Sequence, residues 1–263
     1  MSGFNQHDLS ARRELIMANK RTSKKSIHPY STPAMSGVYR EPPYEYRDSP
    51  NLLVQFETDP RVLRSLVPKP LTPNKENHMF VSVTDFMSSG FGRYYEAHIF
   101  TRATFERRLV NYSIYLILDN DVAICGGREI WGFPKKLGRL EMNMTDDVVS
   151  GSAERGGITL VKAAVHLAEF AKPEDLSGSP EWITRKTIPS VSLNAPPDVD
   201  QLTTTVLTNI NVREVYKGPA TLEFGESPAD RICDIPVKKV LGGFYYRADT
   251  TLPDGAVAHD YLK

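Results

Sequence analysis

Met79-Phe80-Val81-Ser82-Val83-Thr84-Asp85-Phe86 sets Val81 and Val83 against Ser82 and Thr84. Successive strand residues face opposite sides, so this alternation predicts a β-strand with one buried face. Working outward, similar runs rich in β-branched and aromatic residues occur at Leu52–Phe56, Ala97–Phe105, Tyr112–Leu118, Gly157–Leu167, Thr203–Val215, Ala220–Phe224 and Val237–Thr251. Turn signals fall between them: Ser88-Ser89-Gly90, Asp119-Asn120-Asp121, Asp146-Asp147, Pro196-Pro197-Asp198 and Pro253-Asp254-Gly255. Lys172–Pro180 reads as an exposed loop, and Val122–Cys125 as a strand whose Cys125 thiol is buried. One helix is signalled by Asp59 as N-cap and Pro60 at its first position. Val62, Leu63, Leu66 and Val67 follow at helical spacing, and Pro68 and Pro70 stop it. With few strands alternating with long helices, the prediction is a mainly β (α+β) fold. Its largely antiparallel sheet curls into a barrel or double cone with a few peripheral helices.

Charge and composition narrow the function classes. The chain has 263 residues, with 32 Lys+Arg against 32 Asp+Glu, which disfavours a nucleic-acid partner needing a basic excess. The balance is uneven: residues 1–27 hold six basic and two acidic residues, leaving 26 basic and 30 acidic in the remainder. Residues 1–40 therefore read as a basic N-terminal arm, flexible at its start, with a short helix over Ala11–Met17; residues 41–263 read as the folded domain. Asp8 and Glu14 count against an organelle presequence. No apolar run is long enough to span a membrane. Cys125 and Cys233 form no Cys-x-x-Cys pair, so a soluble cytoplasmic protein in a reducing compartment is expected.

His7, His28, His78, His98, His166 and His259 stand at no metal-ligand spacing, so neither metal nor cofactor is expected and each histidine reads as surface or packed. Ser88-Ser89-Gly90-Phe91-Gly92 lacks the rest of a phosphate loop, and no Gly-x-Ser-x-Gly occurs. The segment that stands out is Gly126-Gly127-Arg128-Glu129-Ile130-Trp131-Gly132-Phe133-Pro134-Lys135-Lys136-Leu137-Gly138. Read blandly, it is a solvated turn. Read chemically, one lysine attacks a ketone as a neutral amine, which burial or a neighbouring cation can favour. Two cations roughly 6–7 Å apart at an effective dielectric of about 20 repel by near 2.5 kcal/mol, or about two pK units. Adjacent strand residues point apart, however, so burial of Lys135 is the larger expected influence.

This segment resembles the acetoacetate decarboxylase family, which carries Gly-Arg-Glu, a short apolar stretch and Pro-Lys-Lys-Leu-Gly. The similarity extends through Pro43-Tyr44, Val67-Pro68-Lys69-Pro70-Leu71, Asp119-Asn120, Gly218-Pro219-Ala220-Thr221-Leu222, Asp234-Ile235-Pro236-Val237-Lys238-Lys239 and Asp260-Tyr261-Leu262-Lys263. It spans the chain from about Pro42. Acetoacetate decarboxylase is itself the standard example of a lysine activated by a neighbouring cation. The resemblance implies that Lys135 forms a Schiff base, that Lys136 supplies the cation and that Glu96 is a pocket glutamate. It also implies that Arg128 and Glu129 shape the loop, as an ion pair or otherwise. A family pocket arginine falls near Ser49, with Arg47 two residues away as a substitute. A second family glutamate falls on Val81, and Phe133 stands where the decarboxylase has a tyrosine.

The resemblance thus implies a lyase acting through an iminium and enamine on a small-molecule β-keto acid, in a homo-oligomer. The departures at Ser49 and Val81 keep open a Schiff-base aldolase-dehydratase joining pyruvate to an aldehyde. Lost pocket residues would also suit a non-catalytic small-molecule binder.

Overall fold

Asp59 accepts from the amide of Arg61 at 2.8 Å, and Pro60 opens helix α1 (Pro60–Leu66), as its capping sequence predicts. The computed structural model describes residues 30–176 and 178–263. Most of the expected basic arm, including the helix over Ala11–Met17, lies outside the described residues. Residues 30–38 form bends and turns; the remainder, Tyr39–Lys263, is a second unit and holds everything described below.

Its strands are β1 (Tyr44–Glu57), β2 (Thr72–Pro73), β3 (His78–Ser88), β4 (Gly92–Phe105), β5 (Arg108–Leu118), β6 (Lys135–Leu137), β7 (Arg139–Thr145) and β8 (Val148–Arg155). They continue as β9 (Ile158–His166), β10 (Glu169–Phe170), β11 (Glu181–Ile188), β12 (Val199–Val206), β13 (Thr208–Gly218), β14 (Ala220–Phe224), β15 (Lys239–Leu252) and β16 (Ala256–Asp260). The large sheet runs β10-β13-β15-β1-β3-β4-β5-β11-β12-β16, with β2 on β4 and β6 on β5. It curls without closing, since β10 and β16 remain its edges. Pairing is antiparallel except where β5 meets β6 and β11. A second sheet, β14-β9-β8-β7, packs against it.

The alternation in β3 decides which face goes where. Val81 and Val83 are fully buried with Val54, Ala97, Ile99, Val149 and Val161 in the core between the sheets. Burying each such side chain is worth roughly 1.5–3 kcal/mol. At Gly151 in β8, an added Cβ would stand 2.8 Å from Val83, so the sheets meet there backbone to side chain. Phe80, Ser82, Thr84 and Phe86 take the opposite face, which lines a cavity.

Three expectations are corrected, and a fourth, the exposed loop at Lys172–Pro180, is extended. The run Thr203–Val215 is two strands, broken at Leu207. Asp119-Asn120-Asp121 is no simple turn: Asn120 accepts from the Ala123 amide at 2.8 Å and caps helix α2 (Asp121–Gly126). Cys125 therefore lies on a helix, and it is only part-buried. Lys172–Pro180 contains a 3₁₀ turn at Pro173–Leu176, and Leu176, Gly178, Ser179 and Pro180 border the cavity.

Candidate functional site

The loop carrying the lysines is built to deliver one of them inward. Helix α2 continues into a π-helical turn over Gly127–Trp131, a distortion frequent at functional sites. Gly132 ends it at φ +83°, and a Cβ there would meet the Lys186 Cα at 2.4 Å, so only glycine fits. The Phe133 amide donates back to the Gly127 carbonyl at 3.0 Å. The chain then enters β6, where Lys135 pairs in register with Leu116.

Alternation on so short a strand separates the two lysines. The Lys135 side chain is buried, and its Nζ donates to Glu96 Oε2 at 2.6 Å. The amine lies 5.6 Å from the Phe133 ring centre and 5.8 Å from that of Tyr94. Gly127 presses on the same side chain: a Cβ there would stand 2.5 Å from Lys135 Cε. Gly127→Ala should therefore displace the amine within an intact fold. We expect a roughly 10- to 100-fold loss in kcat with a far-ultraviolet circular dichroism spectrum like wild type.

Lys136 takes the other face, as alternation along a strand predicts, and it is paired there. Its Nζ sits 2.6 Å from Asp230 Oδ1 and 4.9 Å from the Tyr115 ring centre. Arg155 Nε lies 3.2 Å from Asp230 Oδ2, and the Tyr115 hydroxyl donates to the same carboxylate. Burial pushes the Asp230 carboxyl up. Hydrogen bonds from Lys136 and Tyr115 and the charges of Lys136 and Arg155 outweigh it, leaving it below its ordinary 3.8. A depressed carboxyl contributes stability that is present above the unfolded value and lost as pH falls through the folded one. Asp230→Asn should lower stability at pH 7 by about 1–3 kcal/mol. In denaturant titrations its deficit against wild type should shrink as the pH drops below about 4.

Glu96 belongs to a stripe on β4. Tyr94, Glu96, His98, Phe100 and Arg102, spaced by two, all line the cavity, which measures about 400 Å³. Thr84 pairs with Glu96 in register, and its hydroxyl donates to Asn51 Oδ1 at 2.8 Å. Behind Glu96 the Tyr94 hydroxyl donates to that of Tyr46 at 3.3 Å. Burial, then the nearby Tyr46 and Glu96 charges, hold Tyr94 well above its ordinary range, so it is a neutral hydrogen-bonding group. His98, hydrogen-bonded to Ser113 at 3.1 Å and stacked on Trp182 at 4.8 Å, is pushed down to about 3 by burial and by the Lys135 charge. It stays neutral and, contrary to its reading as merely packed, it faces the cavity.

The other expected site residues separate into those at the cavity and those away from it. Phe133 lines it. Val81 does not: it faces the core, which removes it as a substrate contact. Arg47 is also corrected, since it points to the surface and pairs with Glu45 at 2.9 Å. The cause is a β-bulge, for the register of β1 against both neighbours shifts between Tyr46 and the residues beyond it. Asp48 sits in it at φ +49°, held by Arg247 Nε at 2.9 Å and by its amide donating to Asp249 at 2.8 Å. The bulge turns Ser49 inward, and its buried hydroxyl has no hydrogen-bond partner among the described residues. Arg128 and Glu129 have separate partners. Arg128 donates to the Lys135 carbonyl at 3.2 Å, while Glu129 accepts from the Tyr39 hydroxyl.

A largely apolar-walled cavity holding one amine against one carboxyl is suited to binding a small carbonyl compound and moving protons beside it. Among the described residues no group of three or more His, Cys, Asp or Glu is placed to hold a metal ion, and no helix is long and apolar enough to cross a membrane. Residues 28–262 match the family model described as acetoacetate decarboxylase. Acetoacetate decarboxylase 2 of Mesorhizobium japonicum is 31% identical over 237 residues, covering 89% of this chain and 90% of that protein. The crystal structure of acetoacetate decarboxylase from Legionella pneumophila superposes with a TM-score of 0.83 at 29% identity, covering 92% of this chain and all of that one. The enduracididine biosynthesis enzyme MppR, solved with the condensation product of pyruvate and imidazole 4-carboxaldehyde, shares the fold with a TM-score of 0.79. It is 18% identical, with 90% of this chain and 99% of that one covered. The chain belongs to the acetoacetate decarboxylase family and is an enzyme of the carboxy-lyase type.

Proposed function

We propose that the protein decarboxylates a β-keto acid through a Schiff base on Lys135. The observation that carries this is the buried Lys135–Glu96 contact, 2.6 Å long, on the cavity wall. Passing a proton from the amine to Glu96 frees the nitrogen lone pair to attack the ketone carbon. Proton return to the carbinol oxygen expels water and leaves the iminium. The carbon–carboxylate bond then breaks, its electron pair moves into the iminium and an enamine forms as carbon dioxide departs. Glu96 takes up a proton from water and passes it to the enamine carbon, which restores an iminium. Water hydrolyses it to the ketone and the free amine. The surrounding rings of Phe133, Tyr94 and Phe86 favour this sequence, because a carboxylate in an apolar site gains by leaving as neutral carbon dioxide.

Lys136 has an indirect part in this account. It anchors the outer side of β6 through Asp230, while Arg128 ties down the Lys135 carbonyl. The decarboxylase reading is preferred to pyruvate aldol chemistry because the relatives near 30% identity carry decarboxylase names, whereas MppR shares the fold alone. One of the two departures that kept the aldolase reading open, Val81, also lies off the cavity. The test is carbon dioxide release from acetoacetate and longer β-keto acids by the purified chain. Release without added metal or cofactor supports the proposal; turnover of pyruvate plus an aldehyde with no carbon dioxide release overturns it.

A further inference from the structure

The Lys135 and Glu96 pair sits towards one side of a cavity that continues well past it, and the two sides differ. Behind the pair, Tyr46, Phe86 and Tyr94 pack on one another, with ring centres 4.8 Å apart for Tyr46 and Phe86 and 5.2 Å for Phe86 and Tyr94. That end is closed. In the other direction the strand registers give the order. The row of Asn51, Thr84 and Glu96 is followed by Leu53, Ser82 and His98, then by Phe80 and Phe100. Trp182 covers the last two rows, 4.8 Å from His98 and 5.0 Å from Phe100. Exposed Ile210 and the Gly178–Pro180 segment border the cavity as well.

Size points the same way. Acetoacetate has seven non-hydrogen atoms. Given the room of a liquid water molecule, about 30 Å³ each, they fill about half of this cavity at most. The part of the cavity bordered by His98, Phe100 and Trp182 would remain unfilled. At the near end the inward-turned Ser49 hydroxyl, buried and without a partner among the described residues, offers a hydrogen bond to an acid group.

We propose that the natural substrate is a β-keto acid whose ketone carbon carries an aromatic-sized apolar tail, seated against the wall that Phe100 and Trp182 form. This rests on the reading of Lys135 as the imine-forming amine, but tail binding needs no imine. Arg102 closes the far end with its guanidinium 4.5 Å above the Phe80 ring and Nη2 donating to the Leu176 carbonyl at 3.1 Å. It therefore covers the Phe80 ring from that end.

The test uses 3-hydroxy acids, which have no ketone and cannot form an imine. Binding of 3-hydroxybutanoate, 3-hydroxy-3-phenylpropanoate and 3-hydroxyhexanedioate to the wild-type protein is measured by calorimetry. In parallel, borohydride trapping is run with acetoacetate and 3-oxo-3-phenylpropanoate. The phenyl acid is expected to bind at least tenfold more tightly than 3-hydroxybutanoate. Trp182→Ala, checked for folding by its thermal transition, should remove most of that preference. Equal affinities, or tightest binding of the dicarboxylate, would overturn the proposal. Tight phenyl binding without trapping of either keto acid would uphold the tail site and reject the imine. Trapping of acetoacetate without any phenyl preference would do the reverse.

Discussion

Lys135→Met loses at least about a thousandfold in kcat/KM for any β-keto acid the wild type decarboxylates, because the side chain still fills the slot out to Cε and loses its nucleophile. The substitution is chosen to fill the same slot against Gly127, where a Cβ would come within 2.5 Å of the lysine Cε. It also leaves the Glu96 carboxyl, whose side chain is 9% exposed, without its hydrogen-bond donor. Loss of a partner by a desolvated group costs about 1–3 kcal/mol, so the midpoint of urea unfolding should fall. Pairing it with Glu96→Leu should recover much of that stability, since replacing both members of a buried ion pair by apolar groups is often neutral or better. Activity would stay lost. A recovery of stability without recovery of rate separates the chemical role of Lys135 from its structural one.

Glu96→Gln carries the second large effect. The amide keeps the shape and can still accept from Lys135, but it cannot take a proton and give it back. A general acid–base group of this kind contributes typically 10²- to 10⁴-fold, and the loss should appear in kcat rather than KM. Because Glu96 follows Tyr94 and precedes His98 on one face of β4, the variant leaves the rest of the cavity wall in place. Affinity for 3-hydroxy acids should therefore change far less than turnover. A Glu96→Gln enzyme with full kcat would remove Glu96 from the proton path.

Much of this architecture was legible along the chain because its signals are local. The Ser88-Ser89-Gly90 turn joins β3 to β4, and Asp59-Pro60 opens α1. The alternation of Val81 and Val83 with Ser82 and Thr84 gave the strand its two faces. It also held the answer about Val81: a residue in the buried valine row cannot touch a ligand on the serine row. Phe80 and Phe86, sharing the polar row, hint that this face meets a cavity and not bulk water. Strands β7, β8 and β11 escaped notice because Met142, Met144, Ser150, Gly151 and Arg185 blur their alternation. The bulge at Asp48 had no glycine to mark it, so nothing local turned Arg47 away from the cavity, although the resemblance already set Ser49 at the pocket position. Lys135 itself, on residues alone, reads as a turn lysine. Its inward path depends on the π-helical turn, the Gly132 conformation and pairing with β5, none of which is a local pattern.

Lys136 shows where a sequence neighbour misleads. Two adjacent lysines suggest mutual repulsion, yet on β6 they diverge, and Asp230, Tyr115 and Arg155 gather the second on the outer side. The charge nearest the Lys135 amine is the carboxyl of Glu96.

Covalent participation of Lys135 is read out by sodium borohydride reduction of the protein during turnover of a β-keto acid, followed by peptide mass spectrometry. A single reduced adduct is expected on the peptide containing Lys135, with the mass of the ketone product's alkyl group, and none in Lys135→Met. An adduct on Lys136 or another lysine, or decarboxylation at full rate with no adduct and no borohydride inactivation, would contradict it.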